Sequence, residues 1–229
     1  MLVIAHRGAS AAARENTLAA FRLAAEQGAH GVELDVRRSA DGTLVVHHDD
    51  ALADGRAILG LSRSDLPGEV AVLDEALDAC RALSVVNVEI KNWPEDPDFD
   101  PDEQLADAVV ALLDARGDLD GGRILVSSFH LPTIDRVRAL APGLATGWLL
   151  GPVADAAELV DRAAGHGHVA IHPHHAFVND RFVELAHAAG LAVNTWTCDD
   201  PDRIRWLAEV GADAVITNTP DIALAALGR

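Results

Sequence analysis

The chain has 229 residues, 49% of them hydrophobic, no Tyr, and a formal net charge of -18. That length supplies one sizeable core, while the negative charge disfavours nucleic acid and acidic membranes as partners and obliges any anionic substrate to meet a local positive site. Two cysteines, Cys80 and Cys198, are too few for a disulfide framework, and Met1 runs straight into a strand-length apolar run with no basic leader or membrane-length stretch, so a reduced, cytoplasmic protein without stable membrane association is expected.

In chain order, strand-like runs occupy residues 2–5, 31–36, 44–48, 85–90, 123–127, 144–150, 168–172, 191–196 and 212–217, most of them β-branched. Between them lie Ala/Leu-rich stretches with helical signatures. Residues 16–28 carry a cap, an apolar stripe and a glycine stop, and residues 180–190 and 201–211 read the same way.

One connection differs from the rest. Between residues 36 and 44 there is no room for a helix, and Asp41-Gly42 is a strong hairpin signal. This pair must be antiparallel, because a parallel crossover needs about a dozen residues or more. Setting the return strand aside leaves eight βα units. The expected fold is therefore an α/β (β/α)8 TIM barrel with an extra antiparallel hairpin strand after the second strand, in a single domain over residues 1–229. The runner-up is an open doubly wound sheet, but His6-Arg7-Gly8 stands where a Gly-rich dinucleotide loop would follow the first strand.

Barrel chemistry sits at the C-terminal ends of the strands. The first three parallel strands end richest in charge: His6 and Arg7, then Glu33 and Asp35, then Glu89 and Lys91. Glu33 and Asp35, two apart on a strand, share a face. Side by side they repel, so either one is protonated or a cation sits between them. Glu89 adds a third carboxylate, and three convergent oxygen ligands suit Mg²⁺ or Ca²⁺. With Asp41 and Gly42 as the two central residues of the turn, Asp35 falls directly opposite His48, and His47 faces away. Two histidines, His6 and His48, flanking such a site suit acid–base work. The Arg7 fork suits phosphate oxygens. Lys91 is the only lysine in the chain, and a compact ammonium is not interchangeable with a guanidinium.

This ordered set resembles the glycerophosphodiester phosphodiesterase family: His6-Arg7-Gly8, Glu15-Asn16-Thr17, Glu33-Leu34-Asp35-Val36, Asp41-Gly42, His48-Asp49, Glu89-Ile90-Lys91, Ser128-Phe129, Trp196-Thr197 and the terminal Ile216-Thr217-Asn218-Thr219-Pro220. The likeness spans nearly the whole chain. It implies a barrel, a divalent metal held by Glu33, Asp35 and Glu89, an acid/base pair in His6 and His48, and phosphate binding by Arg7 and Lys91. It implies hydrolysis of a small glycerophosphodiester to glycerol 3-phosphate and an alcohol, with the neighbouring glycerol hydroxyl attacking phosphorus before water opens a cyclic phosphate. Glu15, Phe129, His172 and Trp196 are expected as further candidates for the pocket lining. The chain departs from the family pattern in its short segment between residues 50 and 72, so an inserted cap is small or absent, and in Asn218, where an Asp is common.

Two other classes compete with this reading. A phospholipase D-like enzyme of the same superfamily would want an aromatic rim for lipid aggregates, which this chain's composition does not favour; a non-catalytic binding barrel would have lost a histidine or a carboxylate, and none is missing. His166, His168, His172, His174 and His175 crowd one region. With no Cys or carboxylate at zinc-motif spacing, they read as residues edging a strand.

Overall fold

The computed structural model describes residues 1–229. Its strands are β1 (Leu2–His6), β2 (Gly31–Arg38), β3 (Leu44–Val46), β4 (Val85–Ile90), β5 (Ile124–Ser128), β6 (Ala145–Leu150), β7 (Ala170–Pro173), β8 (Ala192–Thr195) and β9 (Ala214–Thr217). Its helices are α1 (Leu18–Glu26), α2 (Leu73–Ala79), α3 (Gln104–Arg116), α4 (Leu131–Leu140), α5 (Ala156–Gly165), α6 (Asp180–Ala188), α7 (Pro201–Glu209) and α8 (Pro220–Ala226). Every strand except β3 pairs in parallel with its neighbours, and β1 pairs with both β2 and β9, which closes the barrel. The expected TIM barrel with one added antiparallel strand is the fold observed.

The alternation of strand side chains divides the core. Val32, Leu34 and Val36 of β2 and Val86, Val88 and Ile90 of β4 face outward into the helix layer, where they join Phe21, Leu73, Leu77, Val109 and Leu113. Ile171, Val193 and Val215 do the same against Phe182, Ile204 and Leu207. Fully burying one such side chain contributes roughly 1.5–3 kcal/mol, so the apolar even-numbered face fixes the register of β2. Its odd-numbered residues, Glu33, Asp35 and Arg37, are thereby committed to the barrel interior.

The hairpin differs from expectation by one residue. Val36 pairs with Val46 and Arg38 with Leu44, so Asp35 lies opposite His47, whose N–H donates to the Asp35 carbonyl at 3.0 Å. The turn has three residues between Ser39 and Thr43, with Gly42 N–H bonded to Ser39 O and Gly42 at φ 81°. This is the three-residue loop in which a left-handed glycine follows a type I turn, and the Asp41 carboxylate favours it by accepting from Ser39 Oγ and Thr43 N–H. The return strand stops at Val46 rather than residue 48. His48 reaches the barrel mouth from irregular backbone beyond the strand, not as a cross-strand partner of Asp35.

β2 overshoots β1, whose pairing ends at His6 opposite Glu33. Val36 pairs with Ile90 on one edge and with Val46 on the other, so β3 occupies the edge of β2 beyond the end of β1. The hairpin thus satisfies backbone groups that the barrel leaves open and carries the His47–Asp50 segment over the mouth.

Candidate active site

Parallel register stacks the inward-facing side chains in layers. His6 pairs with Glu33, and Glu33 with Asn87; one step higher, Asp35 pairs with Glu89, and Glu89 with Ser127. Glu33, Asp35 and Glu89 are all buried, and each offers an oxygen within 4.8 Å of the others. A cavity of about 90 Å³ above them is lined by His6, Arg7, Glu33, His48, Glu89, Lys91, Phe129 and Trp196, among others. It adjoins a wider cavity of about 460 Å³ that runs from His48, Glu89 and Lys91 past Phe129 to Trp93, Asp96 and Pro152.

The β1–α1 loop is built to bring Arg7 into this layer. Arg7 has φ 56° and Gly8 φ 83°. A Cβ on Gly8 would lie 2.6 Å from the Ala20 carbonyl carbon, so only glycine lets the loop pack onto α1. A left-handed arginine is uncommon; here it turns the Arg7 N–H onto Glu33 Oε2 at 3.0 Å and lays Nε 3.2 Å from Asp35 Oδ2. Glu15 holds the far end of the guanidinium at 3.0 Å and is half exposed, outside the pocket. Asn16, also left-handed at φ 56°, donates to Asp35 Oδ2 at 2.8 Å.

Lys91 Nζ donates to Glu89 Oε1 at 2.8 Å and lies 3.4 Å from Asp35 Oδ1. Burial favours the neutral form of each carboxyl, but the three respond differently. For Asp35, Lys91 and Arg7 overcome burial and lower its pKa. Glu89 stays raised by burial, with Lys91 offsetting part of it. Glu33, pushed by burial and then by Asp35 and Glu89, is raised well above the usual carboxylate range. Its Oε1 is buried with no hydrogen-bond partner. With all three acids ionised, as a bound cation would require, they outnumber the two cations Arg7 and Lys91 by one charge, and a divalent ion would leave the cluster with one positive charge. The donor set fits a hard divalent cation: oxygens only, with one of them unpartnered.

The two histidines have different partners. His6 Nδ1 is 2.7 Å from Asn218 Oδ1. The Asn218 amide is oriented from behind, since its Nδ2 donates to Asp199 Oδ2 and its N–H to Asp199 Oδ1, both at 2.7 Å. Its oxygen therefore faces His6, Nδ1 carries the proton, and Nε2 presents a lone pair 3.9 Å from Glu33 Oε2. Burial, then Arg7, lower the His6 pKa. His48 Nδ1, by contrast, lies 2.7 Å from the carboxylate of Asp49.

Of the residues expected to line the pocket, Glu15 stands outside it behind Arg7, and His172 lies away from the mouth altogether. It is fully buried inside the barrel, 3.0 Å from Asn194 Nδ2, beside a separate cavity of about 230 Å³ reached from below; burial lowers its pKa to about 3. Sequence reasoning missed Asn16, Asp199 and Arg37. Arg37 was findable, since it continues the inward series Glu33, Asp35. It binds Asp98 through two contacts of 2.6 and 2.7 Å and Asp96 at 3.0 Å, and its Nε donates to the His48 carbonyl at 2.8 Å. The acidic 94–103 loop is thereby tied to the backbone of His48.

The chain matches the Glycerophosphoryl diester phosphodiesterase family over residues 6–222. It is 28% identical to the glycerophosphodiester phosphodiesterase of Caldanaerobacter subterraneus subsp. tengcongensis, an alignment covering 96% of this chain and 95% of that one. It is 31% identical to a probable glycerophosphodiester phosphodiesterase 1 of Mycobacterium tuberculosis, covering 95% and 89%. Among solved structures, an Oleispira antarctica phosphodiesterase in complex with the product sn-glycerol-3-phosphate superposes with TM-score 0.87 at 29% identity, covering 100% of this chain and 97% of that one.

Arg37→Met is expected to lower stability by about 3 kcal/mol, the low end for breaking a buried ion pair because Asp96 is partly exposed. Urea denaturation reads this directly, and an unchanged midpoint would show that the Arg37 contacts to the 94–103 loop hold nothing.

Proposed function

This chain belongs to the glycerophosphoryl diester phosphodiesterase family, and from that premise we propose how its residues divide the reaction. It is a phosphoric diester hydrolase that converts glycerophosphodiesters to glycerol 3-phosphate and an alcohol. The observation that carries the residue assignment is the convergence of Glu33, Asp35, Glu89, His6 and His48 on one cavity with Arg7 and Lys91.

Glu33, Asp35 and Glu89 would hold the divalent ion, Mg²⁺ or Ca²⁺, which when bound would supply charge neutralisation at a phosphoryl oxygen and acidification of the attacking hydroxyl. Arg7 and Lys91 orient the phosphodiester and stabilise the charge that grows on its oxygens. Glu15 acts through Arg7 by fixing its guanidinium. Phe129 and Trp196, edge to face at 5.4 Å, wall the glycerol side, and the alcohol extends into the wider cavity toward Trp93.

The hydrogen-bond partners support different roles for the two histidines. His6, with Nδ1–H committed to a neutral amide, offers the Nε2 lone pair and takes the proton of the glycerol 2-hydroxyl. His48, whose Nδ1 lies 2.7 Å from the Asp49 carboxylate, donates its proton to the departing alkoxide. The hydroxyl oxygen bonds to phosphorus as the phosphorus–alcohol bond breaks, leaving a cyclic phosphate. In the return step His48 takes a proton from water, water oxygen attacks phosphorus, and His6 protonates the 2-oxygen as the ring opens. Asp199 is a positioning residue that acts through Asn218.

We further propose that the chain works as one catalytic domain on a small soluble substrate in the cytoplasm. No helix is long and apolar enough to cross a membrane, and the -18 charge supports the absence of nucleic-acid partners.

Two measurements check these assignments. Stripping with excess chelator is expected to abolish turnover of glycerophosphocholine, and Mg²⁺ or Ca²⁺ to restore it; full activity in chelator would contradict the metal. His48→Ala is expected to slow glycerophosphocholine by roughly 10²–10⁴ but to slow a p-nitrophenyl glycerophosphate far less, since that leaving group needs no acid. His6→Ala should slow both substrates alike. The reverse pattern would exchange the two roles.

A further inference from the structure

A second cluster of donor atoms lies toward the opposite end of the barrel. His166 caps the C-terminus of α5 and His168 precedes β7, with Gly167 between them; Asp135 comes from the middle of α4. Sequence spacing hid the carboxylate, which arrives from 31 residues away. Both Asp135 oxygens lie 2.9 Å from His166 Nδ1, and Oδ1 lies 3.3 Å from His168 Nε2. The three donor atoms fall within 4.8 Å of one another.

Two observations point to a ligand. The His168 side chain is 0% exposed, and its Nε2, 3.3 Å from Asp135 Oδ1, makes no well-aligned hydrogen bond there. A buried polar atom left in that state calls for an explanation. Its other nitrogen, Nδ1, is fixed 2.9 Å from Thr146 Oγ1 within the barrel wall, the outer contact that metal-binding imidazoles make. The separations also fit. Ligands on a tetrahedral ion with bonds of about 2.0–2.1 Å stand about 3.3 Å apart, close to the distances found here. Gly167, at φ +79°, presents both imidazoles on one turn, and any Cβ there would meet the Arg138 guanidinium at 2.7 Å.

We propose that Asp135, His166 and His168 form a transition-metal site, suited to Zn²⁺. Two imidazoles and one carboxylate select it over Mg²⁺ or Ca²⁺. The site is open on one side, because His166 and Asp135 are partly exposed, which leaves a position for water. None of its residues lines the catalytic cavities. The bound ion ties the α5–β7 connection to α4 and so stabilises the folded state, to which alone it binds. The Arg138 guanidinium beside the turn makes it a weaker site than a closed four-ligand centre.

The test is Zn²⁺ titration of the chelator-stripped full chain in saturating Mg²⁺, by calorimetry and by the visible absorption of Co²⁺ as a probe. Wild type is expected to take up an equivalent of Zn²⁺ that Glu89→Gln retains and that both His166→Ala and Asp135→Asn lose, with the intense absorption of four-coordinate Co²⁺ disappearing in step. Thr146→Val should weaken binding about 10–100-fold, and Zn²⁺ should raise the melting temperature of wild type but not of His166→Ala. Uptake that is absent from wild type, unchanged in both ligand variants, or lost in Glu89→Gln alone overturns the site.

Discussion

Three carboxylates converge inside the mouth of a barrel, on two neighbouring strands, and much of the surrounding structure answers the cost of burying them. Glu33 and Asp35 share one face of β2, and Glu89 sits beside Asp35 in register on β4. Isolated carboxylates in such a place would neutralise rather than ionise. Arg7 and Lys91 offset part of the charge, Asn16 supplies a hydrogen bond to Asp35, and the backbone N–H of Arg7 supplies one to Glu33. What remains is an unpartnered oxygen on Glu33 and three acids facing two cations, the condition in which a divalent cation binds and an anionic phosphodiester can follow it.

That constraint explains the local oddities. The left-handed backbone at Arg7 brings both its N–H and its guanidinium to the acids, and glycine at position 8 lets the turn close on α1. A compact ammonium at Lys91 can contact Glu89 and Asp35 together in a space that walls the cavity. Arg37, next in the inward series of β2, works at a distance. It gathers Asp96 and Asp98 and holds the carbonyl of His48, so the segment bearing that histidine is anchored although no strand carries it.

The barrel was legible in the sequence because strand-length apolar runs alternate with helix-length segments, and because the gap between residues 36 and 44 admits only a hairpin. The inward series Glu33, Asp35 and Glu89, Lys91 was legible from period-two alternation alone. The hairpin register was not: Asp-Gly suits a two-residue turn, but Ser39 and Thr43 bond to Asp41 and favour a three-residue loop. His48 reached the cavity through irregular backbone, which carries no periodic signal. Contacts between distant segments were equally silent. Nothing in the chain order announces that Asp199 orients Asn218 behind His6, or that Asp135 lies against His166 and His168.

The most direct test of the central claim is calorimetric titration of the metal-free protein with Mg²⁺, wild type against Glu33→Gln, with Ca²⁺ in a parallel series. Wild type should bind one equivalent at the carboxylate cluster with either ion or both, and Glu33→Gln, which keeps the shape and removes one of the three acids, should bind far more weakly while remaining folded. Equal affinity in the two proteins would contradict the account, because the ion would then be held by something other than these acids.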